Sequence, residues 1–261
     1  MELINSTILI TGGSSGIGLE FVKQLIAQRP EAILITGRDI SRLEQVRQKF
    51  PQVQIFQSDV SDPEAIKQLA EKITAQFPKL NILINNAGIM RNINLLDNIV
   101  DQQNITAEID IDLAGPILMV QQFLPHLLTQ PSAAIINVTS GLAFVPFPIS
   151  PIYSAAKAGL RAYTRVLRLQ LKATKIKVFE LAPPSTETPL QKDFTGLVDS
   201  SHNMAADKMI GIAVKGLLND QLEIKPGFSK VLKFVSRLMP EFFLNFLDKT
   251  LQKTQSKNLH S

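Results

Sequence analysis

TILITGGSSGIGLEFVKQLIAQ, residues 7–28, passes from a short apolar run into a glycine-rich turn and then into a segment where Ile17, Phe21, Val22, Leu25 and Ile26 recur at helical spacing. It reads as strand, glycine turn, helix. Gly12, Gly16 and Gly18 let the backbone come close to a bound group. Ser14, Ser15 and Ile17 lie among them, at the start of a helix whose free N–H groups favour an anion such as a pyrophosphate. The spacing is G-x-x-x-G-x-G, not the commoner G-x-G-x-x-G, and the same glycines would also serve an ordinary tight turn.

Outward from this stretch, strand and helix alternate. A second apolar run, Ala32 to Thr36, ends in Gly37-Arg38-Asp39, and a third, Val53 to Ser58, closes on Asp59-Val60. Ser61-Asp62-Pro63-Glu64 reads as a helix start with Ser61 and Glu64 at capping-box spacing. A fourth run, Leu80 to Ile84, leads into Asn85-Asn86-Ala87-Gly88. A long helix is expected over roughly 101–128, then a fifth strand ending at Val138 and a sixth, Lys177 to Leu181, before Ala182-Pro183-Pro184. Apolar runs joined by short connections predict an α/β fold: a Rossmann-like doubly wound parallel sheet with helices on both faces. No repeat or low-complexity linker interrupts it, so one domain over 1–261 is expected.

The end of the second strand should reach an adenosine ribose. Arg38 suits a 2′-phosphate and favours NADP(H), while Asp39 beside it keeps NAD(H) open. Asp59 suits an adenine amino group, or equally a helix cap.

Composition narrows the function class. The 261 residues carry a net charge of only +4, with no dense basic stripe, so nucleic acid is not an expected partner. Cysteine is absent, which excludes disulfides, thiolate metal sites and a cysteine nucleophile and fits a cytoplasmic protein. His126 and His202 have no partners at metal spacing, so no metal is assigned. The start, MELINSTILITGG, lacks the pattern of a signal peptide. The uncharged stretch from Leu127 to Ala156 holds four prolines and cannot form one spanning helix.

The chemistry concentrates in AAIINVTSGLAFVPFPISPIYSAAKAGL, residues 133–160. Ser140 follows the fifth strand, and Tyr153 and Lys157 lie four apart in an Ala-rich segment, hence on one helix face. An ammonium beside a phenol stabilises the phenolate, and a serine at a strand end can hold a substrate oxygen next to it. Tyr-x-x-x-Lys also arises by chance in many helices, so the pair takes its weight from its surroundings.

With TGGSSGIG, the Asn85-Asn86-Ala87-Gly88 run and Ser140 thirteen residues before Tyr153, the chain resembles the short-chain dehydrogenase/reductase family over about residues 5–190. The wording INNAGI, IINVTSGLAFVP and ELAPPSTETPL is similar to its DltE-like oxidoreductase subgroup. The resemblance implies Tyr153 as proton donor and acceptor. It implies Lys157 as the ligand of the nicotinamide ribose that lowers the Tyr153 pKa, and Ser140 as holder of the substrate carbonyl. It places Val60, Asn86, Ala87, Gly88, Pro183 and Thr188 around the cofactor, and it implies a homodimer or homotetramer built from the long helix and the Tyr153 helix. One position departs: where the family has a catalytic Asn in the long helix, EIDIDLAGP holds Asp112.

The functional expectation is an NADP(H)-dependent oxidoreductase interconverting a carbonyl and a secondary alcohol on a small, apolar substrate. Leu142, Phe144 and Phe147 are expected to line its pocket. The alternative is a catalytically impaired nucleotide sensor or scaffold on the same fold. A substrate lid is expected over about 186–220, centred on Leu190 to Met204. An amphipathic basic extension follows over about 227–251, expected to pack on the parent domain or a second subunit in preference to a membrane surface.

Overall fold

The computed structural model describes residues 1–96, 104–194, 196–197 and 203–258. Seven parallel strands form one sheet: β1 (Thr7–Thr11), β2 (Ala32–Gly37), β3 (Val53–Gln57), β4 (Leu80–Asn85), β5 (Ala133–Val138), β6 (Ile176–Leu181) and β7 (Glu223–Ile224), in the order β3-β2-β1-β4-β5-β6-β7. Successive side chains of a strand point to opposite faces, so a strand covered on both sides is mostly apolar. Ile8 and Ile10 pack on one face with α1 (Gly16–Ile26), α2 (Ile40–Lys49) and α7 (Ala206–Leu218). Leu9 packs on the other with α3 (Pro63–Gln76), α5 (Gly115–Thr129) and α6 (Pro151–Gln170). Strand order reverses between β1 and β4, and there the loops leaving the carboxyl ends diverge and open a crevice.

Several local expectations need correction. Asp62, not Ser61, caps α3: its carboxylate accepts from the Glu64 and Ala65 N–H groups at 2.9 and 3.2 Å. Pro63 then stands in the first turn, where a missing N–H costs nothing. The Ser61 hydroxyl instead donates to Asp59 at 2.7 Å. The long helix is not one α-helix. Its described part opens as α4 (Ala107–Ile109), widens into a π segment (Asp110–Ala114) and continues as α5; the expected start at Asp101 lies outside the described residues. Pro116 has no N–H to give the Asp112 carbonyl four residues back, a local reason for the wider turn. β7 is a seventh strand that the sequence did not announce.

The expected lid falls partly outside the described residues: Pro189–Phe194 forms a 3₁₀ helix, while 195 and 198–202, His202 included, are not described. The extension folds as α8 (Ser229–Leu238) and α9 (Pro240–Asn258). α8 docks on the parent fold by one side: Ser229 and Leu232 are buried, and Lys233 is ion-paired with Glu223 of β7.

A polar chain crosses the apolar middle. The Asn85 amide donates to Asn137 at 2.8 Å, the Asn137 amide donates to Thr164 at 2.9 Å, and the Thr164 hydroxyl donates to the Leu160 carbonyl at 2.7 Å. It ties β4, β5 and α6 together just below Ser140. Because each partner is out of water, Asn137→Ala should lower unfolding free energy by about 2–3 kcal/mol in urea titration. A loss below about 0.5 kcal/mol would show that the chain is dispensable.

Candidate active site

The crevice has a volume of about 960 Å³ and is lined from the carboxyl ends of the strands. Gly12, Ser14, Ser15, Gly16 and Ile17 form one wall, and Arg38, Asp59 and Val60 the far end. Asn86, Ala87 and Gly88 form its floor, and Ser140, Tyr153, Lys157, Pro183 and Thr188 the near end. Gly18 and Asp112 do not line it. Gly18 lies beneath the turn against the Gly12 carbonyl, and Asp112 stands behind Lys157.

Gly12 has φ +65°, a conformation that a side chain would strain, and an added Cβ would sit 2.9 Å from the Ala87 Cα. The turn is pinned from the next strand. The Asn86 side-chain amide donates to the Thr11 carbonyl at 2.9 Å, and the Thr11 hydroxyl accepts the N–H groups of Asn86 and Ala87, both at 3.0 Å. The Asn86 amide N–H groups are thus engaged in holding the turn. At the start of α1, Ser15 makes no side-chain cap and no acidic residue stands in the first turn, so its N–H groups stay available to an anion. At the far end, the hydroxyls of Thr36 and Ser58 are buried and lack a hydrogen-bond partner. Both residues line the crevice, and such orphans fit a polar ligand there.

At the near end, Ser140 is extended (φ −161°) and its hydroxyl accepts the Leu142 N–H at 3.1 Å. The Lys157 ammonium donates to the Val138 carbonyl at 3.1 Å, stands 5.7 Å from the centre of the Tyr153 ring and lies 3.8 Å from Asp112 Oδ1. Asp112 also accepts the Ile89 N–H at 3.0 Å, and its second oxygen is unpartnered. An added Cβ on Gly88 would fall 2.6 Å from that carboxylate, so no larger residue fits. Burial pushes the Asp112 pKa up to about 7, against the pull of Lys157. Burial lowers the Lys157 pKa, and Asp112 opposes this.

The model of the short chain dehydrogenase family matches residues 6–196. The chain belongs to that family. This short chain dehydrogenase is similar to the uncharacterized oxidoreductase DltE of Bacillus subtilis (strain 168), with 37% identity over 227 residues, 86% of this chain and 89% of the relative. Its fold is similar to a short chain dehydrogenase from Burkholderia cenocepacia J2315 in complex with NADP, at TM-score 0.82 and 21% identity, covering 95% of this chain and 99% of that one. It is similar too to a short chain dehydrogenase/reductase from Burkholderia phymatum in complex with NAD, at TM-score 0.78 and 19% identity, covering 89% and 93%. As a member of the family, the chain is an NAD(P)-dependent oxidoreductase.

The structure bears on two sequence expectations for this dehydrogenase. Tyr153 is buried, and its pKa lies above the ordinary phenol value. Burial raises it, the Asp112 charge raises it further, and only a hydrogen bond with Ser140 pulls it down. The amine is engaged with Val138 and Asp112 and is itself destabilised as a cation. Phe144 does not line the crevice as Leu142 and Phe147 do; its ring lies 4.8 Å from the Arg161 guanidinium. Sequence reasoning missed Thr11, Thr36 and Ser58. Each sits at or just past the carboxyl end of a strand, and that placement was the available signal.

A raised carboxyl pKa favours the folded state at low pH. The contribution is complete below the ordinary Asp value near 4 and is lost as pH rises through about 7. Asp112→Asn removes the charge that burial penalises. Its stability relative to the natural chain should therefore improve by roughly 2 kcal/mol between about pH 5 and about pH 8.5. Urea midpoints at the two pH values measure this, and an equal difference at both would contradict the burial of an ionisable Asp112.

Proposed function

We propose that this chain interconverts a carbonyl and a secondary alcohol using NADP(H), with Tyr153 as the general acid and base. The observation that carries the reading is the gathering of Ser140, Tyr153 and Lys157 at one end of the crevice that runs over the glycine turn. A nicotinamide dinucleotide bound there supplies or accepts the hydride at the substrate carbon. The chain's own residues handle the oxygen. In reduction, the Ser140 hydroxyl donates a hydrogen bond to the carbonyl oxygen, and the Tyr153 phenol gives that oxygen its proton as the alcohol forms. The Lys157 ammonium stabilises the phenolate left behind. In oxidation the same proton returns to the phenolate. Burial disfavours the free phenolate, so the phenol is held as an acid at neutral pH.

The adenosine end supports the NADP(H) form. The Asp39 carboxylate accepts the Arg42 N–H at 3.1 Å as the cap of α2 and is ion-paired with the Arg42 side chain at 3.2 Å. It is thus occupied, whereas Arg38 is exposed on the crevice wall and suits a phosphate. Leu142, Val145, Phe147, Phe194 and Leu232 line the remainder, in keeping with an apolar substrate.

One observation favours a second reading, a catalytically impaired nucleotide binder: the buried Asp112 carboxylate lies 3.8 Å from Lys157, where its charge opposes formation of the Tyr153 phenolate. NADPH bound without turnover across a broad carbonyl panel, with turnover gained in Asp112→Asn, would select that reading.

Under the first reading, Tyr153→Phe should reduce NADPH oxidation with an active carbonyl by about a thousandfold while NADPH binding, followed by fluorescence, changes little. Activity equal to the natural chain would remove Tyr153 from the chemistry. Arg38→Ala should weaken NADPH binding about tenfold or more and leave NADH binding unchanged. Equal losses for both would detach Arg38 from the 2′-phosphate.

A further inference from the structure

The α8–α9 pair leaves an apolar row in solvent: Val231, Phe234 and Leu238 on α8, then Met239, and Phe242 and Phe246 on α9. Phe234 is 66% exposed and Phe242 60%, values that side chains packed on a parent domain do not have. Helical spacing places Lys230 and Arg237 along one edge of the α8 row, and Lys249 beside Phe242 and Phe246 on α9. All three cations are exposed. Lys233, by contrast, faces inward and anchors α8 to Glu223.

Charge is concentrated here. Residues 229–258 hold six basic and two acidic side chains, which is the whole of the chain's net +4; the remainder of the sequence is balanced. Among the described residues, no helix is long and apolar enough to cross a membrane. Aromatic and aliphatic residues flanked by Lys and Arg on a short helix pair have the composition of an interfacial element.

We propose that α8 and α9 form a membrane-docking surface for anionic lipid, with the aromatic row in the headgroup boundary and Lys230, Arg237 and Lys249 on the lipid phosphates. Phe228, the residue just before α8, Leu232 of α8 and Leu247 of α9 line the crevice, so docking brings the crevice wall to the lipid. Delivery of an apolar substrate by that route rests on the oxidoreductase reading; the docking does not.

Flotation of the full chain with phosphatidylcholine vesicles, with or without phosphatidylglycerol, tests the docking without any activity readout. Binding should require phosphatidylglycerol and weaken about tenfold or more in high salt. Phe234→Ser/Phe242→Ser and Lys230→Glu/Arg237→Glu should each lose about tenfold or more, with circular dichroism and NADPH binding unchanged, because all four side chains are exposed. No binding to either vesicle, or binding equal in the natural chain and both variants, would overturn the proposal. So would sedimentation showing that Phe234→Ser/Phe242→Ser splits a dimer in a chain that ignores vesicles, which would assign the row to a second copy.

Discussion

Two opposite charges held out of water, the Asp112 carboxylate and the Lys157 ammonium 3.8 Å apart, set the electrostatics at the near end of the crevice. Neither is comfortable: burial raises the pKa of one and lowers that of the other, and each partly offsets the cost for its neighbour. Breaking such a pair by removing one member usually costs more than the pair contributes, because the survivor is left uncompensated. The surrounding backbone is shaped to it. A π segment presents Asp112, Gly88 leaves room for its oxygen, the Ile89 N–H donates to it, and the Val138 carbonyl accepts from the amine. Tyr153 then sits one turn from Lys157 on the same helix face.

That arrangement depends on the sheet. β5 carries Val138 and, just beyond, Ser140; β4 carries the approach to Gly88; α6 returns over them with Tyr153 and Lys157. The Asn85–Asn137–Thr164 chain fixes these three elements against one another from below. On the other side of the strand-order reversal, β1, β2 and β3 present the glycine turn, Arg38 and the unpartnered Thr36 and Ser58 hydroxyls. One crevice therefore has an anion-ready wall, a polar far end and a near end that gathers Ser140, Tyr153 and Lys157, each supplied by different strands.

The main architecture was legible because a sheet covered on both faces demands largely apolar strands, and six of the seven are mainly apolar, although Gln54 interrupts β3 and Lys177 and Glu180 interrupt β6. β7 was not, because two residues, Glu223 and Ile224, cannot display a pattern. The cap of α3 was misread because Ser61 and Asp62 are both good caps, and only the presence of Pro63 in the first turn separates them. The spacing anticipated that Ser140, Tyr153 and Lys157 meet at one end of the crevice, but not how they ionise. Spacing placed Lys157 beside Tyr153, while the sign of the phenol's shift depends on burial and on Asp112, which arrives from a distant helix. Phe144 shows the same limit, since its ring contact with Arg161 has no signal in the spacing. The apolar row on α8 and α9 was visible as a period, yet only the folded chain shows that one side of α8 is anchored and the other bare.

A crystal structure of the chain grown with NADPH tests the central claim most directly. It should show the dinucleotide in the crevice, its phosphates over the turn from Gly12 to Gly18, its adenosine end at Arg38, and its nicotinamide against Tyr153 and Lys157. A dinucleotide bound elsewhere, or lying in the crevice with its nicotinamide at Arg38, would contradict it.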